Sequence, residues 1–107
     1  MPPTVDRVCF VLYLRPDRID HYLAAHEHVW PDMLEALRSA GWSNYSLFLR
    51  RADGMVIGYF ETEDLAGSLQ RLEVSDVNHR WQSTMAQFFT SPVGFDDSRL
   101  SHYFYLA

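Results

Sequence analysis

The 107-residue sequence contains one cysteine, Cys9. An intrachain disulfide is therefore impossible, which excludes the cross-linked framework of many small secreted scaffolds. Apolar runs are short, and none approaches the roughly 20 residues that span a bilayer. The opening Met1-Pro2-Pro3-Thr4-Val5-Asp6-Arg7 lacks the basic-then-apolar layout of a secretory signal. Basic charge is scarce as well: 9 Lys and Arg stand against 14 Asp and Glu, a net charge of −5. That balance argues against nucleic acid or an anionic membrane as a partner. The sequence holds no repeat, low-complexity stretch, linker or like-charge block. A single cytoplasmic domain over residues 1–107 is expected.

Aromatic rings are abundant: 7 Phe, 6 Tyr and 3 Trp. A chain of this length buries only about two-thirds of its surface by folding alone. So many rings call for a partner subunit, a ligand, or both.

From Arg7 to Leu14, Val8, Phe10, Leu12 and Leu14 alternate with Cys9, Val11 and Tyr13. Both sets are apolar, which predicts a strand covered on both faces. From about Asp17 to Ser39, a helical wheel gathers Ile19, Tyr22, Leu23, His26, Trp30, Met33, Leu34 and Leu37 into one stripe. Pro31 removes a backbone donor and predicts a kink or split near His28. Ala40-Gly41 is the expected stop. Ser43 to Arg50 and Met55 to Glu61 read as strands joined by a hairpin at Arg51-Ala52-Asp53-Gly54. A second helical region opens at Glu63-Asp64, with Leu65, Leu69 and Leu72 on its inner side. Ser75 or Asp76 re-caps it, and Val77, Trp81, Thr84, Met85 and Phe88 form a further stripe. Ser91-Pro92-Val93-Gly94 should end that helix and open a loop through Arg99, and His102 to Leu106 reads as a last strand. This order predicts an α+β, ferredoxin-like split βαβ fold with helices on one face of an antiparallel sheet. The other face would carry large side chains such as Phe48, Phe60 or Tyr105, depending on register. Such a face predicts a second sheet packed against it in a homodimer.

Among the histidines, His21 and His28 fall opposite the stripe, whereas His26 lies inside it between Tyr22 and Trp30. A histidine there loses hydration and needs a hydrogen-bond partner. It is either a satisfied core side chain or a partly buried acid/base, with Tyr22 one turn away on the same face. Trp81 is likewise either core or one wall of a sugar pocket, where an indole stacks on the C–H face of a pyranose and phenols such as Tyr45 orient its hydroxyls. His26-Glu27-His28 is not a zinc motif, because helical residues two apart point in different directions. Neither a metal nor a cofactor is expected: no glycine-rich phosphate loop, nucleophile elbow or Cys-x-x-Cys pair occurs.

These residues also form recognisable patterns. Tyr22-x-x-x-His26-x-x-x-Trp30-Pro31-Asp32, Gly41-Trp42-Ser43-Asn44-Tyr45-Ser46-Leu47-Phe48-Leu49, Asp76-Val77-Asn78-His79-Arg80-Trp81 and Tyr103-Phe104-Tyr105-Leu106 resemble the signatures of the L-rhamnose mutarotase family. The resemblance runs from Arg7 to Leu106. It implies a dimeric α/β barrel that interconverts the α and β anomers of a 6-deoxyhexose. It also implies that His26 is the proton donor and that Tyr22, Tyr45 and Trp81 contact the sugar. The sequence departs from the family in two places. Gln82 stands where a second tryptophan usually follows the first, and Thr90 to Ser98 lacks the family's Asn-Pro-Asp-Asn-Ser-Pro loop. Both changes bear on which sugar is bound, so Gln82 joins the expected substrate-binding set. L-fucose or another sugar, an oxygenase on the same architecture and a non-catalytic sugar-binding protein are the alternative readings.

Overall fold

A computed structural model describes residues 5–90 and 95–107. Strand β1 (Asp6–Tyr13) uses its two apolar sets as the alternation requires. Val8 and Phe10 are buried under the helices, while Cys9, Val11 and Tyr13 lie on the opposite face. A 3₁₀ turn at Pro16–Arg18 leads into α1 (Ile19–Glu27). The split expected at Pro31 occurs: α1 stops at Glu27, and α2 (Pro31–Ser39) starts with proline in its first turn. Gly41, at φ 91°, closes α2. Its N–H reaches the Arg38 carbonyl and the Trp42 N–H reaches that of Leu37, the paired bonds of a Schellman cap.

Strands β2 (Ser43–Arg50) and β3 (Met55–Thr62) form the predicted hairpin, and Asp53 accepts a bidentate grip from Arg50 across it. Gly58 leaves the space that the Phe10 ring occupies, since a Cβ there would sit 2.1 Å from that ring. Asp64 caps α3 (Leu65–Glu73), and Ser75 caps α4 (Asp76–Met85) through the Asn78 N–H. Thr84 is exposed and bonds the Arg80 carbonyl instead of joining the inner stripe. The helix tightens into a 3₁₀ turn at Ala86–Phe88. The expected terminator Ser91-Pro92-Val93-Gly94 lies outside the described residues.

Past that point the expectation needs correction. A one-turn helix, α5 (Phe95–Ser98), stands where a loop was expected. The last strand is β4 (Arg99–Leu100), and His102 to Leu106 forms no strand. The register gives the reason. Leu100 pairs with Cys9 and Arg99 with Phe10. Continued along the chain, that pairing reaches the start of β1 near Tyr103, so Phe104–Leu106 has no neighbouring strand in this chain. Arg7 instead lies over the Tyr105 ring at 3.9 Å.

The sheet is antiparallel with strand order β2-β3-β1-β4, a ferredoxin-like arrangement. Its inner face and the helices enclose a core of Leu14, Ile19, Tyr22, Met33, Val56, Trp81, Met85 and Phe88. Phe60 belongs to this inner face, where it is fully buried and stacked on Trp42 at 3.5 Å. Of the rings expected on the outer face, Phe48 is there, 63% exposed, and Tyr13 and Leu100 are exposed on the same face. Among the described residues no helix is long and apolar enough to cross a membrane.

Candidate active site

Tyr22 and His26 lie one turn apart on the inner face of α1, with ring centroids 4.2 Å apart. Tyr22 is buried and His26 half-buried, while His21 and His28 face solvent as the wheel predicts. His26 Nδ1 lies 3.0 Å from the Tyr22 backbone carbonyl oxygen. A carbonyl can only accept, so Nδ1 carries a hydrogen and donates it. That bond fixes the neutral tautomer and leaves Nε2 as the nitrogen that takes up or releases a proton. Trp81 on α4 meets the His26 ring edge-on at 5.5 Å and Trp30 edge-on at 5.0 Å. The histidine is thus held by a backbone bond on one side and an indole on another.

Tyr45 approaches from the sheet. Ser43 pairs with Glu61 and Ser46 with Tyr59, so Asn44 and Tyr45 together stand opposite Phe60. This is a β-bulge, and Asn44 takes its left-handed conformation at φ 50°. The Asn44 amide donates to Glu61 at 3.0 Å, and the Tyr59 hydroxyl donates to the same carboxylate at 2.8 Å. Those two bonds hold the Glu61 carboxyl below its ordinary value. Tyr45 turns inward, edge-on to Phe60 and Trp42.

Burial pushes the Tyr22 phenol up to about 12. The Tyr45 phenol is pushed up as well, first by burial and then by Tyr22. Desolvation penalises the phenolate, so both groups remain O–H donors at neutral pH. Tyr45 is 39% exposed, and it lines an open cavity between helices and sheet.

That cavity has a volume of about 1030 Å³ and is lined by all five residues singled out from the sequence: Tyr22, His26, Tyr45, Trp81 and Gln82. Phe10, Leu47, Val56 and Met33 supply apolar wall, and Glu73, Asn78 and Asp97 add polar groups. Mostly apolar lining with a few convergent polar groups is the usual form of a small-molecule pocket. Asn78 and Glu73 were missed from sequence. Asn78 stands four residues before Gln82 on the same helix, a spacing that could have found it. Nothing in the sequence separates Glu73 from a solvated helix end. Among the described residues, no three His, Cys, Asp or Glu side chains converge as metal ligands would.

Comparison with known proteins now adds to the geometry. The family described as L-rhamnose mutarotase matches residues 7–106. An L-rhamnose mutarotase of Listeria monocytogenes is 33% identical over 108 residues, covering 96% of this chain and 100% of the relative. One from Bacillus subtilis is 31% identical over 105 residues, covering 94% and 97%. The crystal structure of an L-rhamnose mutarotase from Formosa agariphila superposes with a TM-score of 0.78 at 21% identity, covering 95% of this chain and 99% of that one.

Proposed function

Because the chain belongs to the L-rhamnose mutarotase family, we propose that it interconverts the α and β anomers of a 6-deoxyhexose, with L-rhamnose the first candidate. The observation that carries this reading is the Tyr22–His26 pair, whose hydrogen bond leaves Nε2 as the proton-exchanging nitrogen beside a cavity walled by Trp81.

The reaction needs little beyond proton transfer. The anomeric hydroxyl loses its proton, the bond from C1 to the ring oxygen breaks, and that oxygen gains a proton. The open aldehyde rotates about C1–C2, and the same steps in reverse close the ring on its other face. No C–H bond breaks and no electrons are exchanged. His26 is the acid/base at the anomeric or ring oxygen. Tyr22 and Tyr45, held protonated by burial, donate hydrogen bonds to sugar oxygens. Trp81 packs against the sugar as part of the pocket wall. Positioned proton transfer accounts for about 10²–10⁴-fold acceleration, and a fixed sugar orientation adds to it. The pocket has no need of a basic clamp, because the sugar is neutral.

The protein is further read as a homodimer in which two sheets pack outer face to outer face, completing a dimeric α/β barrel. Exposed Tyr13, Phe48 and Leu100 on that face support the reading, as does the exposed run Tyr103–Leu106. A cytoplasmic setting, where thiols stay reduced, suits the free thiol of Cys9.

Saturation-transfer NMR between the two anomeric protons tests the activity. Micromolar protein should speed exchange of L-rhamnose well beyond the buffer rate. Exchange at the buffer rate for L-rhamnose, L-fucose and related aldoses, with calorimetric binding intact, would make the protein a sugar binder instead.

A further inference from the structure

Among the described residues, Asn44 alone other than glycine has a left-handed backbone, at φ 50°. Asparagine tolerates that conformation better than most side chains, and such a backbone persists only where its surroundings enforce it. Here the Asn44 side chain supplies the support. Its Nδ2 donates to one Glu61 carboxylate oxygen, and the Tyr59 hydroxyl donates to the other. A carboxylate only accepts, so the Asn44 amide has one orientation, and Glu61 is itself held by Tyr59. Tyr59 and Glu61 pair with Cys9 and Arg7 and share their outer face of the sheet. Neither they nor Asn44 line the cavity.

Tyr45, the next residue, points the other way, into the cavity. Its ring meets Trp42 edge-on at 5.0 Å and Phe60 edge-on at 6.3 Å. The Trp42 indole is fixed in turn by the hydrogen bond that it donates to the Ser68 hydroxyl. These walls bound the ring, while the backbone sets the angle at which it enters. Asn44 and Tyr45 share the place opposite Phe60, and a bulge of this kind re-aims the side chain it carries. We propose that Glu61 and Asn44 are positioning residues, which from the outer face of the sheet lock the bulge that aims the Tyr45 phenol at the sugar. This rests on the mutarotase reading, with Tyr45 as a sugar contact, and extends the site to two residues that touch no sugar.

The test is a double-mutant cycle, read as kcat/KM for anomer exchange of L-rhamnose by saturation-transfer NMR. Glu61→Ala, Asn44→Ala and Tyr45→Phe are compared singly, and each alanine variant is repeated in the Tyr45→Phe background, with circular dichroism confirming the fold. Glu61→Ala should lower kcat/KM about 3- to 10-fold, the contribution of one net hydrogen bond to the sugar, mainly through KM. Asn44→Ala should do the same, since alanine cannot bond Glu61 and disfavours the left-handed backbone. Glu61→Gln should keep most of the activity, because its amide oxygen can accept from Asn44 while its amide nitrogen donates to the Tyr59 oxygen. In the Tyr45→Phe background neither alanine variant should lower kcat/KM further, because the group they aim is gone. Undiminished kcat/KM in both alanine variants or in Tyr45→Phe, or losses that add to that of Tyr45→Phe, overturn the inference and leave the mutarotase reading standing. Exchange at the buffer rate with wild type removes that reading and the inference with it.

Discussion

One hydrogen bond gives His26 its chemical identity. With Nδ1 committed to the Tyr22 carbonyl, only Nε2 can work on a ligand, and the edge of Trp81 limits how the ring can turn. The pair was legible in the sequence because i and i+4 share a helix face, and an apolar stripe interrupted by histidine demands a reason. The anchoring of Asn78 to the Leu72 carbonyl was not legible, since it joins α4 to the end of α3 through a bond that no spacing rule contains. The buried Tyr22 phenol gives a prediction at this scale. A free tyrosine ionises near pH 10, whereas Tyr22 holds its proton to about 12. The stabilisation from that raised value is complete below about pH 10 and is lost as the pH climbs through 12. Alkaline titration followed by near-ultraviolet absorbance should show late-ionising phenols, and Tyr22→Phe should remove one of them. A titration unchanged in Tyr22→Phe would contradict the assignment.

Elements owe their ends to a few residues. Pro31 separates α1 from α2, and the Schellman cap at Gly41 turns the chain toward β2. Those boundaries could be read from residue type alone, as could the re-cap at Ser75. The bulge at Asn44 could not, because the simple alternation of Tyr45, Leu47 and Leu49 already satisfies the pattern without it. The bulge shows itself only in the pairing with β3. The missing strand at His102 to Leu106 is the reverse case: its aromatic pattern fits a strand, but β1 begins opposite Tyr103 and leaves Phe104 to Leu106 without a neighbouring strand in this chain. The close fit of β1 and β3 supplies the prediction here. Gly58→Ala would drive a methyl into the Phe10 ring, and Phe10 also lines the cavity. Overpacking of this kind costs about 1–3 kcal/mol. Thermal denaturation should show a lower midpoint, accompanied by a raised KM for sugar as the ring is displaced toward the pocket. A melting curve like that of wild type would mean that Phe10 moves freely.

At the scale of the whole molecule, the described aromatic rings include three groups. Phe10, Trp42 and Phe60 pack together on the inner face of the sheet. Tyr22, Trp30, Tyr45, Trp81 and Phe89 gather between helices and sheet around His26. Tyr13, Phe48, Tyr103, Phe104 and Tyr105 are exposed. Composition showed that the rings needed cover. Only the register showed which of them the chain covers itself, and it moved Phe60 from the candidate outer face to the core. If two sheets meet in a homodimer, light scattering should give twice the chain mass at micromolar concentration. A chain truncated after His102 should dissociate more readily, because it loses apolar side chains that are 57% to 95% exposed in the single chain. A monomer at all concentrations would contradict the barrel.

The most direct measurement compares wild type with His26→Gln, which keeps a polar side chain of similar size and lacks the imidazole nitrogen. With circular dichroism confirming the fold, saturation transfer between the anomeric protons of L-rhamnose should fall by about 10²–10⁴-fold, to the rate in buffer. Exchange at the wild-type rate in the folded His26→Gln protein would contradict a mechanism centred on Nε2 of His26.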